Sequence, residues 1–108
     1  MAIRVRKSKY GNVRTEIDGH RFASRREAGR YVVLKALLLA GEITALELQP
    51  RYPLRVAGVL VCTYVADFRY LDGRGVAVVE DAKGVRTDAY RIKKKLLAAL
   101  YGVAVVEV

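Results

Sequence analysis

An apolar run that ends in charged residues constrains this chain more than any other stretch. Val76–Val79 are β-branched or small, which is typical of a strand buried on both faces of a sheet. Glu80, Asp81 and Lys83 follow within four positions. Because side chains alternate along a strand, Asp81 and Lys83 share one face and Glu80 points to the other. Charges at the end of a buried strand are costly unless they are paired or bind a metal, so chemistry is expected here.

The composition limits the classes of protein that fit. A chain of 108 residues is long enough for one compact domain, and its net charge of +9 favours a polyanionic partner, nucleic acid first. A basic domain that is merely soluble is the alternative. Cys62 and His20 are the only residues of their types, which argues against disulfides, zinc clusters and triad-type hydrolysis. With no signal peptide and no apolar run of membrane-spanning length, we expect a cytoplasmic protein without membrane contact.

The basic residues form two groups, in the first third of the chain and near its end. We predict that residues 1–12 are a basic, mobile arm, either a solvated tail or a grip on phosphates, and that residues 13–108 are one domain. The expected nucleic-acid contacts are Arg4, Arg6, Lys7, Lys9, Arg25, Arg26, Arg91, Lys94 and Lys95.

Turn and capping signals divide the chain into elements. Asp18-Gly19 predicts a β-hairpin over residues 13–22, and Ser24 followed by Glu27 is a capping box that starts a helix from Arg25 to about Ala40. Beyond it we expect a strand over 43–49, a long strand over 59–70, the strand over 76–83, a helix from Thr87 or Asp88 to Leu100 or Tyr101, and a last strand over 103–108.

Two finer expectations follow from periodicity. The long strand should place Tyr64, Ala66, Phe68 and Tyr70 on one face. The second helix should bury Ile92, Leu96, Ala99 and Leu100.

The order of these elements predicts an α/β (α+β) fold. Three antiparallel strands follow the first helix, and the second helix leads to a strand that pairs in parallel. We therefore expect one mixed β-sheet flanked by a helix on each side, with the hairpin at its N-terminal end.

Two aspartates on neighbouring strands suit hydrolysis of a phosphodiester. Asp67 and Asp81 would supply hard oxygen ligands for Mg²⁺, with the carbonyl of Ala82 as a further ligand, although the register between the strands is not fixed by the sequence. The metal would activate a water, which Lys83 could position or deprotonate. The alternative is an ordinary salt bridge between Asp81 and Lys83. From spacing alone, the capping box fully explains Glu27.

At this point the chain resembles the PD-(D/E)XK nuclease superfamily, through Asp67, Asp81-Ala82-Lys83 and the earlier Glu27. More closely, it resembles a family of small phage-encoded endonucleases, some of which are Holliday-junction resolvases. The stretches that carry this likeness are 9–12, 17–19, 22–28, 41–43, 46–50, 66–68 and 80–84.

The resemblance implies a restriction-endonuclease-like αβββαβ core and a DNA endonuclease that uses Mg²⁺ or Mn²⁺ and leaves a 5′-phosphate. It makes Glu27 a metal ligand or a water-mediated contact of the metal, in addition to its place in the capping box, and it makes Gln49 a residue near the active site. It further implies DNA as the partner, with branched DNA as one form of it, and it allows a homodimer. One departure from the superfamily is Ala66, which stands where the superfamily's name has proline. A second is Glu80 beside Asp81, because either carboxylate could be the metal ligand. Alternation along the strand favours Asp81, which shares a face with Lys83.

Two other functions stay open from the sequence. The basic groups would also serve a non-catalytic nucleic-acid-binding module. A structural protein, for example one associated with the ribosome, would hold the same acidic residues in salt bridges.

Overall fold

The computed structural model describes residues 3–7, 13–82 and 86–108. Within these ranges the chain forms two helices and nine strands in mixed sheets, which confirms the α+β class. The strands are β1 Ile3–Lys7, β2 Val13–Ile17, β3 His20–Phe22, β4 Thr44–Leu48, β5 Arg51–Val56, β6 Val59–Val65, β7 Phe68–Leu71, β8 Ala77–Asp81 and β9 Val105–Glu107. The helices are α1 Arg25–Leu39 and α2 Asp88–Tyr101.

The N-terminal sheet has the order β1-β2-β3 and contains the predicted hairpin. Asp18 (φ 53°) and Gly19 (φ 80°) both have positive φ, as the two-residue turn between twisted strands requires. The expectation of an arm needs correction for Ile3–Lys7, because this segment is a strand that pairs with β2 from Ile3↔Ile17 to Lys7↔Val13. This segment alternates apolar and basic residues, and such a pattern forms a strand when a neighbouring strand, here β2, supplies hydrogen-bonding partners. Residues 1–2 and 8–12 lie outside the described ranges.

Both helices begin and end at the predicted signals. The Ser24 hydroxyl accepts the N–H of Glu27 at 3.1 Å, and the Thr87 hydroxyl accepts the N–H of Tyr90 at 3.1 Å. After α1, the N–H groups of Gly41 and Glu42 bond to the carbonyls of Leu38 and Leu37, a Schellman arrangement. Gly102 ends α2 with φ 68°.

The central sheet has the order β4-β7-β8-β9, with the first three strands antiparallel and β9 parallel to β8, as predicted. On one face Leu34 of α1 packs into a cluster with Phe68. On the other face Leu97 of α2 packs with Val79 and Val105. The strand β8 is thus covered by a helix on each side.

The long strand expected over 59–70 is two strands in different sheets. The chain leaves the β5–β6 hairpin at Ala66, whose N–H bonds to the carbonyl of Pro50 at 3.1 Å. This crossing resets the alternation of side chains. Tyr64 and Ala66 therefore pack on the α2 side of the fold, and Phe68 and Tyr70 on the α1 side, so the expectation of a single shared face was wrong.

The buried face of α2 also differs from the prediction. Leu97 is its fully buried residue, and the predicted Leu96 is half-buried against the same cluster. Ala99 is exposed, Ile92 is 60% exposed and Leu100 is 43% exposed, contrary to the prediction. Helical periodicity cannot choose between the adjacent Leu96 and Leu97, and packing against the β5–β6 hairpin sets the rotation of the helix. In the part of the chain that is described, neither helix is long and apolar enough to cross a membrane.

Candidate metal and catalytic site

Asp67 and Asp81 are in direct contact. The pairing of Phe68 with Glu80 places Asp67 opposite Asp81, and the Asp67 N–H donates to Asp81 Oδ1 at 2.9 Å. The Asp67 carboxylate reaches the same strand end, because its Oδ2 accepts the N–H of Ala82 at 2.7 Å. The expected juxtaposition of the two aspartates is confirmed, and tertiary pairing supplies the register that the sequence left open.

Asp81 is fully buried at the end of β8. Its Oδ2 accepts a hydrogen bond from the Tyr64 hydroxyl. A buried carboxylate is tolerated only with such donors, so Tyr64 and the Asp67 N–H fix the orientation of this side chain. Sequence reasoning missed Tyr64, since the hydroxyl reaches Asp81 only after the chain crosses between sheets.

Glu80 points to the opposite face of β8, as alternation predicts. Arg30 of α1 holds both of its carboxylate oxygens at 2.7 Å, and the Tyr70 hydroxyl donates to Oε2. The bond to Glu80 raises the pKa of Arg30, and burial, followed by the bond to Glu80, raises the pKa of Tyr70 to about 12. Glu80 is therefore committed to a bidentate ion pair, and Asp81 is the carboxylate that faces Asp67.

Glu27 lies at the same end of the sheet, in the first turn of α1. Arg26 Nη1 donates to the carbonyl of Val108 at 3.4 Å, and the Val108 N–H bonds to the carbonyl of Asp81 at 2.9 Å. One turn later, Arg30 holds Glu80. The helix therefore runs over the end of β8. Glu27 is 6% exposed, and its backbone N–H donates to the Ser24 hydroxyl that caps the helix.

Gln49 is joined to the site through the backbone. Its N–H donates to the carbonyl of Asp67 at 2.9 Å, and its φ of 52° is uncommon for a residue with a side chain. With Leu48 it lines a cleft of about 540 Å³ whose other wall is the hairpin turn, Gly19 to Arg21. An opening lined by an arginine thus lies beside Gln49, the residue whose N–H bonds to the carbonyl of Asp67.

A second cluster lies beside Asp81 on β9. Glu107 pairs in register with Asp81 and accepts from Arg86 Nε at 2.9 Å and from the Tyr90 hydroxyl at 2.9 Å. The Arg86 bond, followed by the Tyr90 bond, lowers the pKa of Glu107. Burial, followed by the bond to Glu107 and the nearby charge of Asp81, raises the pKa of Tyr90. The sequence analysis overlooked Glu107, although residues at the ends of adjacent parallel strands are neighbours.

The basic residues that the structure describes flank this end. Arg25 and Arg26 lie at the N-terminus of α1 and are exposed, and Arg91 and Lys95 are exposed on α2. Arg91 pairs with Asp88 at 3.5 Å, and Lys94 lies 3.9 Å from Glu107. The N-termini of both helices point toward the strand ends, which adds positive potential there.

Some predicted residues lie outside what is described. Lys83 belongs to the range 83–85, and Lys9 to the range 8–12. Arg4, Arg6 and Lys7 are placed as backbone in β1, but their side chains are not among the described groups.

The donor set fits a hard divalent cation better than zinc. Among the described residues, no three His, Cys, Asp or Glu side chains group closely enough to hold a metal ion. The aspartate pair offers oxygen ligands only, with the N–H of Ala82 bonded to Asp67 Oδ2, and Mg²⁺ characteristically binds through one or two carboxylates and keeps several waters. The predicted ligands Asp67, Asp81 and Ala82 are therefore brought together.

Comparison with known proteins identifies one family. The model of a family described as "Protein of unknown function (DUF1064)" matches residues 7–105. No curated protein and no solved structure matches the chain.

Proposed function

The chain belongs to the DUF1064 family, and we propose that it is a metal-dependent DNA endonuclease that hydrolyses phosphodiester bonds. The observation that carries the proposal is the contact between Asp67 and Asp81 at the end of a buried strand, where the Asp67 N–H meets Asp81 Oδ1 at 2.9 Å. The resemblance to the PD-(D/E)XK nucleases supports the proposal, because the motif of that superfamily matches the same two residues, Asp67 and Asp81. It also includes a cytoplasmic site of action.

Each residue has a specific role in this proposal. Asp67, Asp81 and the carbonyl of Ala82 hold Mg²⁺ or Mn²⁺, with Glu27 approaching from α1. A cation bound by these residues would supply an activated water and offset negative charge on the phosphate. Lys83, two residues beyond Asp81, orients the attacking water or the scissile phosphate.

Neighbouring side chains hold these groups in place. Tyr64 fixes one oxygen of Asp81. The ion pair of Arg30 with Glu80 ties α1 to β8, which sets the height of Glu27 above the strand end. Gln49 lines the cleft next to Asp67, so it contacts the substrate rather than the metal in this scheme.

The substrate class follows from charge. A net charge of +9, with arginines at the N-termini of both helices, favours a polyanion approaching this end of the sheet. By resemblance, the polyanion is DNA, and a branched junction is the most specific substrate. Cutting a junction symmetrically requires two sites related by a two-fold axis, hence a homodimer.

A nicking assay tests the activity. Supercoiled plasmid with Mg²⁺ or Mn²⁺ should be nicked by the wild type, and Asp67→Asn or Asp81→Asn should lower the rate by more than the roughly 10–100-fold typical of outer-shell residues. Asp72→Asn is the matched control, because Asp72 caps the turn at the far end of the β7–β8 hairpin. A four-way junction, a duplex and a single strand compared in the same assay identify the substrate.

Two outcomes would reject the proposal. One is the absence of wild-type cleavage across these metals and substrates. The other is equal heat on titrating Mn²⁺ into wild type and into Asp67→Asn, which would remove the metal site.

The second candidate is a non-catalytic nucleic-acid-binding module. The observation in its favour is that Asp81 is fully buried and already hydrogen-bonded to Tyr64, as a structural carboxylate would be. This module would bind DNA with the same salt dependence but leave plasmid intact, so the nicking assay separates the two functions.

A further inference from the structure

The β5–β6 hairpin carries positive charge and no negative charge. Between positions 51 and 65 the charged residues are Arg51 and Arg55, and no aspartate or glutamate occurs. Both arginines are exposed, and neither forms an ion pair within the described part of the chain. Because exposed arginines without carboxylate partners attract anions, the hairpin offers a surface for a polyanion.

The two arginines lie on the face of the hairpin that points away from the core, here called the outer face. Leu54 is fully buried in the cluster with α2, and alternation along β5 therefore turns Arg51, Pro53 and Arg55 outward. The irregularity in pairing after Leu54 adds its extra residue to β6, so the alternation along β5 is kept. Thr63 pairs with Pro53, which leaves short side chains between the two arginines.

The dimensions of the outer face match a groove of DNA. Arg51 and Arg55 are four residues apart on one strand, a distance of about 13 Å. The major groove of B-DNA is roughly 12 Å wide and admits a two-stranded ribbon. The tip of the hairpin is the two-residue turn Ala57-Gly58, so no bulky loop widens it.

The hairpin is held firmly from behind. The Tyr101 hydroxyl of α2 donates to the carbonyl of Pro53 at 2.7 Å, and the ring of Tyr52 packs edge-on against Tyr101 with centroids 5.4 Å apart. At the base, the Ala66 N–H bonds to the carbonyl of Pro50 at 3.1 Å. A docking element that is already ordered loses little conformational freedom on binding, which favours affinity.

The base of the hairpin adjoins the candidate site on both of its strands. Arg51 pairs with Val65, which lies two residues before Asp67. Gln49, two residues before Arg51, donates its N–H to the carbonyl of Asp67 at 2.9 Å. A phosphate held by Arg51 would therefore lie close to the aspartate pair.

We propose that the outer face of the β5–β6 hairpin docks in the major groove of duplex DNA and holds one duplex arm beside the Asp67–Asp81 site. Arg51 and Arg55 pair with phosphates on the two sides of the groove, and Pro53 and Thr63 lie between them. Contacts of this kind position the duplex without reading its sequence. The choice of DNA over another polyanion rests on the proposed function.

Fluorescence anisotropy with a labelled duplex in EDTA, over a KCl series, tests the docking face. The double variant Arg51→Ala/Arg55→Ala should bind more weakly than the wild type. Its slope of log affinity against log salt concentration should be less steep by roughly 1.8, that is 0.9 for each of two phosphates.

Arg14→Ala/Arg74→Ala is the matched control, because it removes the same charge from two exposed arginines elsewhere. Arg14 lies on β2, whose Ile17 packs on the α1 side of the fold, and Arg74 lies in the turn over 72–76. The control should keep the slope of the wild type. Equal slopes for the two double variants overturn the proposal.

Dimethyl sulfate footprinting identifies the groove. This reagent methylates guanine N7, an atom on the floor of the major groove, and the wild type should protect it in the bound duplex. A bound wild type that leaves guanine N7 fully reactive overturns the docking in the major groove. Arg55→Glu repeats both measurements if the double variant fails to fold, with circular dichroism reporting the fold of each variant.

The binding assay needs no metal, so its result is independent of cleavage. A wild type that docks as proposed but never nicks plasmid leaves the docking face standing and removes the endonuclease. A wild type that nicks plasmid, with an Arg51→Ala/Arg55→Ala variant of unchanged affinity, rate and KM, removes the docking face and leaves the endonuclease.

Discussion

Glu80 and Asp81 show how adjacent carboxylates acquire different roles. Glu80 lies among α1 side chains and binds Arg30, while Asp81 lies on the other face with Tyr64 and Asp67. Both are nearly inaccessible to solvent, so each depends on its own donors. The sequence predicted the opposite faces from alternation, but it contained no local signal for Arg30, which is fifty positions away.

At this scale, Arg30→Ala should destabilise the fold strongly. The change leaves the Glu80 carboxylate, 1% exposed, without its bidentate partner, and we expect a loss of about 3 kcal/mol in the free energy of unfolding. Urea unfolding followed by circular dichroism measures it.

Arg91→Ala is the surface control for that variant. Its partner Asp88 is an exposed residue at 3.5 Å, so the loss should stay within about 0.5 kcal/mol. Similar losses for the two variants would mean that the Arg30–Glu80 pair does not tie α1 to β8.

At the scale of elements, the helices follow their local signals closely. Ser24 and Thr87 accept backbone N–H groups as N-caps, and Gly41 and Gly102 end the helices with positive φ. Strands followed the sequence less well, because pairing partners decide where a strand stops. The break at Ala66, for example, exists because the two parts of one apolar run pair with different strands, β5 and β8.

Two glycines on helices should respond oppositely to alanine. Gly102→Ala forces a side chain to φ 68° and should cost about 1–2 kcal/mol. Gly29→Ala, in the exposed interior of α1 with open space around a new Cβ, should stabilise the protein by about 1 kcal/mol. Thermal melting of the two variants checks the pair, and a destabilised Gly29→Ala would contradict the placement of Gly29 in α1.

At the scale of the whole molecule, charge is organised by the direction of the elements. The strand β8 delivers Asp81 to the end of the sheet where both helices begin, so carboxylates and helix N-termini meet there. Arg25, Arg26 and Arg91 surround that end. The turn over 72–76 lies at the opposite end of the β7–β8 hairpin.

DNA binding should therefore depend on charges at one end of the molecule. Changing Arg91 and Lys95 to glutamate should make the affinity for DNA less sensitive to salt. The slope of log affinity against log salt concentration should become less steep by roughly 0.9 for each phosphate that the variant no longer neutralises. Fluorescence anisotropy with a labelled duplex over a KCl series measures this slope.

Arg74→Glu is the control with the same change of charge per site. Arg74 has a side chain 86% exposed in the turn at the far end, so the slope should stay as in the wild type. Equal effects at both ends would indicate binding through net charge alone.

Local patterns in the sequence determined the caps, the Asp18-Gly19 hairpin, the order of the central elements and the opposite faces of Glu80 and Asp81. These features depend on neighbours within a few residues, where backbone conformation and side-chain direction are set. Only the tertiary structure decided the register that joins Asp67 to Asp81, the crossing at Ala66, the rotation of α2 and the partners Tyr64 and Arg30. Those features depend on interactions between distant segments, whose energies no local pattern contains.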